Sequence, residues 1–254
     1  MKRWIYRAWS PDTEAAAAYF RQAEGERDRL ESAMEEAGAA RLSVFGEGGH
    51  WFLYAETTGP TEEADAAPLD AEALFPGAEN VLSVWPGERG GRLFVPMTDI
   101  FHYRRPDARE PWRKTAAPNK GEADRGKAES DLKAGGAGGG RSSESHGRVA
   151  RLKPDMTASY VFYHYQYQEE KPGDGDKYGI IGLHENLLFF YAERPATIGP
   201  PPYEGTLKTR NTPKDWGSAM QPHFIEWRDA PEGQTVWLNA DRVLEARLPD
   251  QEGD

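Results

Sequence analysis

Two stretches of this chain, Gly48-Gly-His-Trp-Phe-Leu-Tyr-Ala-Glu56 and Leu183-His-Glu-Asn-Leu-Leu-Phe-Phe-Tyr-Ala-Glu193, close on the same tripeptide. Each is a turn followed by a run of bulky apolar and aromatic residues, the pattern of a strand packed on at least one face. Upstream, Ser10-Pro11-Asp12 and Lys153-Pro154-Asp155 stand at similar distances before the two tripeptides. The recurrence implies a duplicated unit, and the two copies are expected to face each other across a shared hollow.

The rest of the chain is read around these strands. Arg3 to Trp9 alternates as a first strand, and Ser10 offers an N-cap to a helix from Pro11 to Ala37, with Tyr19 and Ala23 on one face. Ala40–Phe45 and His50–Glu56 follow as strands around Gly46–Gly49, a weak second helix is placed near Asp70–Leu74, and Leu93–Tyr103 is the candidate closing strand. In the second copy Val149–Leu152 is a strand and Pro154 opens a helix that Lys171-Pro-Gly cuts short. A hairpin follows over Tyr178–Glu193, then a short helix near Pro213–Met220. His223–Trp227 and Arg242–Leu248 compete to close this sheet. Strand-helix-strand-strand-helix-strand is the ferredoxin-like order. The expected fold is therefore α+β, two ferredoxin-like α+β-barrel repeats, 1–114 and 148–254. The Gly-, Ser- and charge-rich tract 115–147 is expected to be a flexible, disordered linker.

Composition narrows the partners. A net charge of -11 disfavours nucleic acid and anionic membrane surfaces, and the absence of cysteine removes disulfides and thiol chemistry. The basic N-terminus lacks the apolar segment of a secretory leader and no apolar run is long enough to span a bilayer, so a cytoplasmic protein is expected. No phosphate-loop, dinucleotide, zinc-protease or esterase motif occurs. The spacing of His50, His102 and His184 suggests no metal site.

Tyr160 and His164 stand four apart, on one helical face, and together offer a phenol and an imidazole for proton transfer. The plainer reading makes Tyr160, Phe162, Tyr163, Tyr165 and Tyr167 packing aromatics and His164 an ordinary histidine.

A strand, Pro-Asp at a helix start, Tyr-x-x-x-His and a hairpin carrying Asn186-Leu-Leu-Phe189 together resemble the L-rhamnose mutarotase family. The family's dimeric α+β barrel and its interconversion of sugar anomers are what the resemblance implies. It places His164 and Tyr160 as the proton-transfer pair, with Tyr163, Trp216 and Trp227 lining a monosaccharide site, no metal and no cofactor. It also implies either pairing of the two copies within one monomer or a homodimer. The first copy departs from the pattern: Ala23 stands where the histidine would be. Two other readings remain from the sequence, a non-catalytic ligand-binding or interaction module and a cofactor-free α+β-barrel monooxygenase acting on an apolar substrate.

Overall fold

The computed structural model describes residues 1–57, 68–86, 91–104, 143–197 and 205–249. The N-terminal half contains β1 (Lys2–Trp9), α1 (Thr13–Gly25), α2 (Arg27–Glu36), β2 (Ala39–Glu47), β3 (His50–Thr57), β4 (Val95–Pro96) and β5 (Thr98–His102). The C-terminal half contains β6 (Glu144–Leu152), α3 (Thr157–Glu170), β7 (Ile180–His184), β8 (Leu187–Arg194), α4 (Trp216–Met220), β9 (Phe224–Ile225) and β10 (Leu238–Arg247). Most of the tract read as a linker lies outside the described residues, although β6 already begins at Glu144.

Two ferredoxin-like repeats do not form. The strands belong to one antiparallel sheet in the order β4-β1-β3-β2-β10-β6-β8-β7-β5, with β9 added beside β6. The reason lies in the late strands. β10 pairs with β6 through Leu238–Ala240 and then with β2 through Asp241–Arg247, crossing from one half to the other. β5 leaves β4, which lies on β1, and pairs with β7. A self-contained repeat would keep its closing strand; here each half lends one away. β4 and β5, the two ends of the sheet, are separated only by Met97, so nine strands make a nearly closed barrel.

The helices correct the expected layout too. The segment around Asp70–Leu74 is turns, with a single 3-10 turn at Ala78–Asn80, whereas the short helix expected near Pro213–Met220 does form, as α4. The first helix is broken at Glu26, and its cap is Asp12, whose Oδ1 accepts from the Ala15 N–H at 2.9 Å, rather than Ser10. Ser10 Oγ instead donates to the Val81 and Asp12 carbonyls at 2.7 and 2.8 Å, fastening the 68–86 segment to the start of α1. α3 ends at Glu170 with Lys171 as its cap, where Lys171-Pro-Gly was expected to stop it. Both late strand candidates form, and they do so in different places, as β9 and β10.

Burial explains the strand sequences. Trp51, Leu53 and Ala55 of β3 face the core under α1 and α2, which contains Phe20, Leu30 and Met34, while Phe52 and Tyr54 face the barrel interior. Leu188 of β8 faces α3; Leu187, Phe189 and Tyr191 face the interior. Strands buried on both faces lose the polar alternation of a half-exposed strand, which is why these two read as continuous apolar runs.

The interior is layered along the barrel axis. Phe52 stacks on Phe189 at 4.5 Å and Tyr54 on Tyr191 at 3.5 Å, joining the two halves face to face. Beyond the tyrosines lies a charged layer. Tyr54 donates to Glu56 at 2.7 Å and Tyr191 to Glu193 at 2.9 Å, and Arg41 bridges Glu193 and Glu245 at 3.2 and 2.7 Å. The recurring Tyr-Ala-Glu is thus a phenol and its carboxylate partner, two residues apart on the same inward face. Beyond the phenylalanines, at the opposite end, the interior carries Arg7, His50, His184 and Arg151.

Candidate functional site

α3 lies on the outer face of the β6-β8-β7 sheet, and the residues it turns inward build the site. Tyr160 and His164 are both buried, 2% and 3% exposed, against Ala150, Leu152, Ile181 and Leu188 of the sheet. One turn of helix brings their rings to 4.1 Å. The pair is therefore enclosed between helix and sheet, on the opposite side of the sheet from the barrel interior, where stacked aromatics stand in place of the expected hollow.

Trp216 joins them from 52 residues further along the chain. Its indole meets His164 edge-on at 4.9 Å and leans on Tyr167 at 5.0 Å. Two anchors place it. Asp215 caps α4 through the Ser218 N–H at 3.0 Å. Upstream, the Glu170 carboxylate at the end of α3 accepts from Thr209 Oγ1 at 2.6 Å and from the Asn211 and Thr212 amides at 2.8 and 2.9 Å, tying the approach to α4 onto α3. Burial pushes the Glu170 carboxyl up, but these hydrogen bonds outweigh it and hold the group well below the usual carboxylate range.

The protonation states follow from the contacts. His164 Nδ1 lies 2.9 Å from the Tyr160 carbonyl, an acceptor, so Nδ1 carries the proton and Nε2 the lone pair. Burial pushes the His164 pKa down to about 4, only partly opposed by that hydrogen bond, which keeps the ring neutral at physiological pH. Burial also pushes the Tyr160 phenol up, so it stays protonated. A neutral imidazole with an available lone pair can take a proton, and a protonated phenol can give one.

The residues named from sequence divide into two groups. Tyr160, His164 and Trp216 converge. Tyr163 is half-buried beside them and meets the His223 ring at 5.8 Å. Trp227 lies elsewhere: it packs on the barrel interior, with the Arg151 guanidinium 4.0 Å over its ring.

Sequence reasoning passed over three neighbours. Phe101 of β5 meets His164 edge-on at 5.6 Å, a contact that exists because β5 crosses over to β7. Phe224 packs on Tyr160 at 5.4 Å. His223 is buried, accepts at Nε2 from Ser159 Oγ at 2.7 Å and donates from Nδ1 to the Met220 carbonyl at 3.1 Å. Pro222-His223 shows no periodicity relative to Tyr160, and the sequence offered His223 only as the start of a late strand candidate.

The N-terminal half has a counterpart without an imidazole. Tyr19 and Ala23 line a pocket of about 280 Å3, together with Glu26, Arg29, Leu74 and Asn80. Among the described residues no group of three or more His, Asp or Glu side chains is arranged to hold a metal ion, and no helix is long and apolar enough to cross a membrane. Comparison with family models, curated proteins and solved structures found no match to this chain.

Proposed function

We propose that the C-terminal half binds a monosaccharide such as rhamnose between α3 and the sheet and interconverts its anomers. The observation that supports this is the meeting of Tyr160, His164 and Trp216, an acid, a base and an aromatic wall, the last 52 residues beyond His164. His164 Nε2 takes the proton of the anomeric hydroxyl while the Tyr160 phenol gives its proton to the ring oxygen. The bond from the anomeric carbon to the ring oxygen breaks and the open aldehyde forms. Rotation about the adjacent carbon–carbon bond presents the other face, and reclosure returns both protons, so the protein ends unchanged. Trp216 supplies an apolar face for the sugar's C–H groups.

Exchange NMR on an anomeric mixture of rhamnose tests the reading. Faster exchange in the presence of the protein is expected, reduced at least about 100-fold by His164→Ala, the scale of losing one acid–base group. Unaltered exchange in the wild-type protein, or acceleration that survives both His164→Ala and Tyr160→Phe, overturns it. A second reading, a non-catalytic binding module, is favoured by the pocket at Tyr19 and Ala23, which has the tyrosine and the space but no imidazole. It predicts saturation transfer from the protein to the sugar with no change in anomer exchange.

A further inference from the structure

The barrel end at Arg7 carries an excess of hydrogen-bond donors. Arg7 is 6% exposed, on the inward face of β1, and it donates from Nη2 to His50 Nδ1 at 3.3 Å and from Nη1 to His184 Nδ1 at 3.3 Å. Because both imidazoles accept at Nδ1, both carry their proton on Nε2. Arg151, from the facing half of the barrel, lies over the Trp227 ring as Arg7 lies over Trp85, at 4.0 and 4.4 Å. Both guanidinium groups bury an Nε–H with no partner among the described residues.

The counter-charge is sparse and displaceable. Arg7 has one carboxylate, Glu185 at 3.2 Å, whose side chain is 59% exposed at the tip of the β7–β8 hairpin. Arg151 has no ion pair among the described residues; its Nη2 reaches only the Glu226 carbonyl, at 3.5 Å. Glu47, across the β2–β3 hairpin from His50, and its neighbour Asp241 add acidic groups at this end. Arg41 at the opposite end also buries an Nε–H with no partner among the described residues, but it is clamped by two carboxylates, Glu193 and Glu245, where Arg7 has one.

We propose that this end of the barrel is a receptor for a small oxyanion, a carboxylate or a phosphate, held by Arg7 and Arg151 with His50 and His184, and that Glu185 occupies the place of the ligand until it arrives. Planar guanidinium groups match the paired oxygens of such anions, and the two indoles hold them in orientation. The site lies on the inner face of the sheet, opposite the Tyr160–His164 cluster, and is independent of the sugar reading.

Titration calorimetry on the full chain at constant ionic strength, with inorganic phosphate, acetate and chloride as separate arms, tests the proposal. Saturable binding of phosphate or acetate, absent for chloride, is expected, and the arm that binds tells a phosphoryl ligand from a carboxylate. Arg7→Gln weakens it at least about 10-fold, Glu185→Gln tightens it several-fold, and His164→Ala leaves it unchanged. Should Arg7→Gln fail to fold, Arg151→Gln, on a partly exposed side chain, takes its place with the same expected weakening. No saturable binding of either oxyanion by the wild type and by Glu185→Gln, or equal affinity in Arg7→Gln or its substitute, overturns it.

Discussion

Single side chains in this molecule are constrained most where charge is buried. Arg41 and Glu193 are 3% and 0% exposed at the side chain, and removing either leaves its partner charged in a place water does not reach. Arg41→Ala is expected to cost about 3 to 5 kcal/mol, read from the urea midpoint. Substituting an apolar residue at both positions together should cost less than the single change, since no lone charge is left behind. His164 sets a pH dependence. Its folded pKa of about 4 lies below the ordinary 6.5, so the unfolded chain binds the proton more tightly. The stability this neutral ring contributes is complete above pH 6.5 and is lost as pH falls toward 4, by about 3 kcal/mol at most. His50, also pushed down to about 4, chiefly by burial and then by the charges of Arg7 and Arg151, acts in the same direction. Urea midpoints between pH 7 and pH 5 should therefore fall, and fall less steeply in His164→Phe.

Among the elements, β6 leaves no room for a side chain at Gly147. A side chain at Gly147 would begin 2.7 Å from the Phe45 ring and 2.8 Å from that of Phe189, where the two halves interlock. Gly147→Ala is expected to destabilise by about 1 to 3 kcal/mol, with the near-ultraviolet signal of the stacked aromatics reporting the shift. The strands that were legible in the sequence are those whose partners are local. β2 and β3 form a hairpin across Gly48, whose positive φ of 56° suits glycine, and β7 and β8 do so across Glu185 and Asn186. What stayed hidden is long-range. Arg242–Leu248 could be read as a strand but not as β2's partner, because nothing within ten residues encodes a neighbour 200 positions away. Its Glu245 is one of the carboxylates that clamp the buried Arg41, so β10 does not resemble a core strand either. The Tyr160–His164 pair was legible from helical spacing and Trp216 from the resemblance. Arg7 was visible only as one position in an aromatic strand, since its role depends on histidines from two different hairpins.

For the molecule as a whole, the crossing strands make each half dependent on the other. Residues 1–104 produced alone lack β10, leaving β2 without its neighbour and Phe45, Phe52 and Tyr54 facing water; residues 143–249 alone lack β5, and β7 is left open. Each fragment by itself is expected to aggregate or remain unfolded. The two produced together should associate and recover the cooperative melt of the intact chain, because the contacts between them are those of a core rather than of a surface. Size-exclusion chromatography and circular dichroism of the co-produced pair check this; two fragments that fold independently would show that the halves are separate units after all.

Met97 has a consequence of its own. Standing alone between β4 and β5, it joins the first and last strands of the sheet, one paired with β1 and the other with β7. A few residues inserted there would let the seam gape. Two fresh strand margins would then face outward, and the protein would have acquired the means to polymerise.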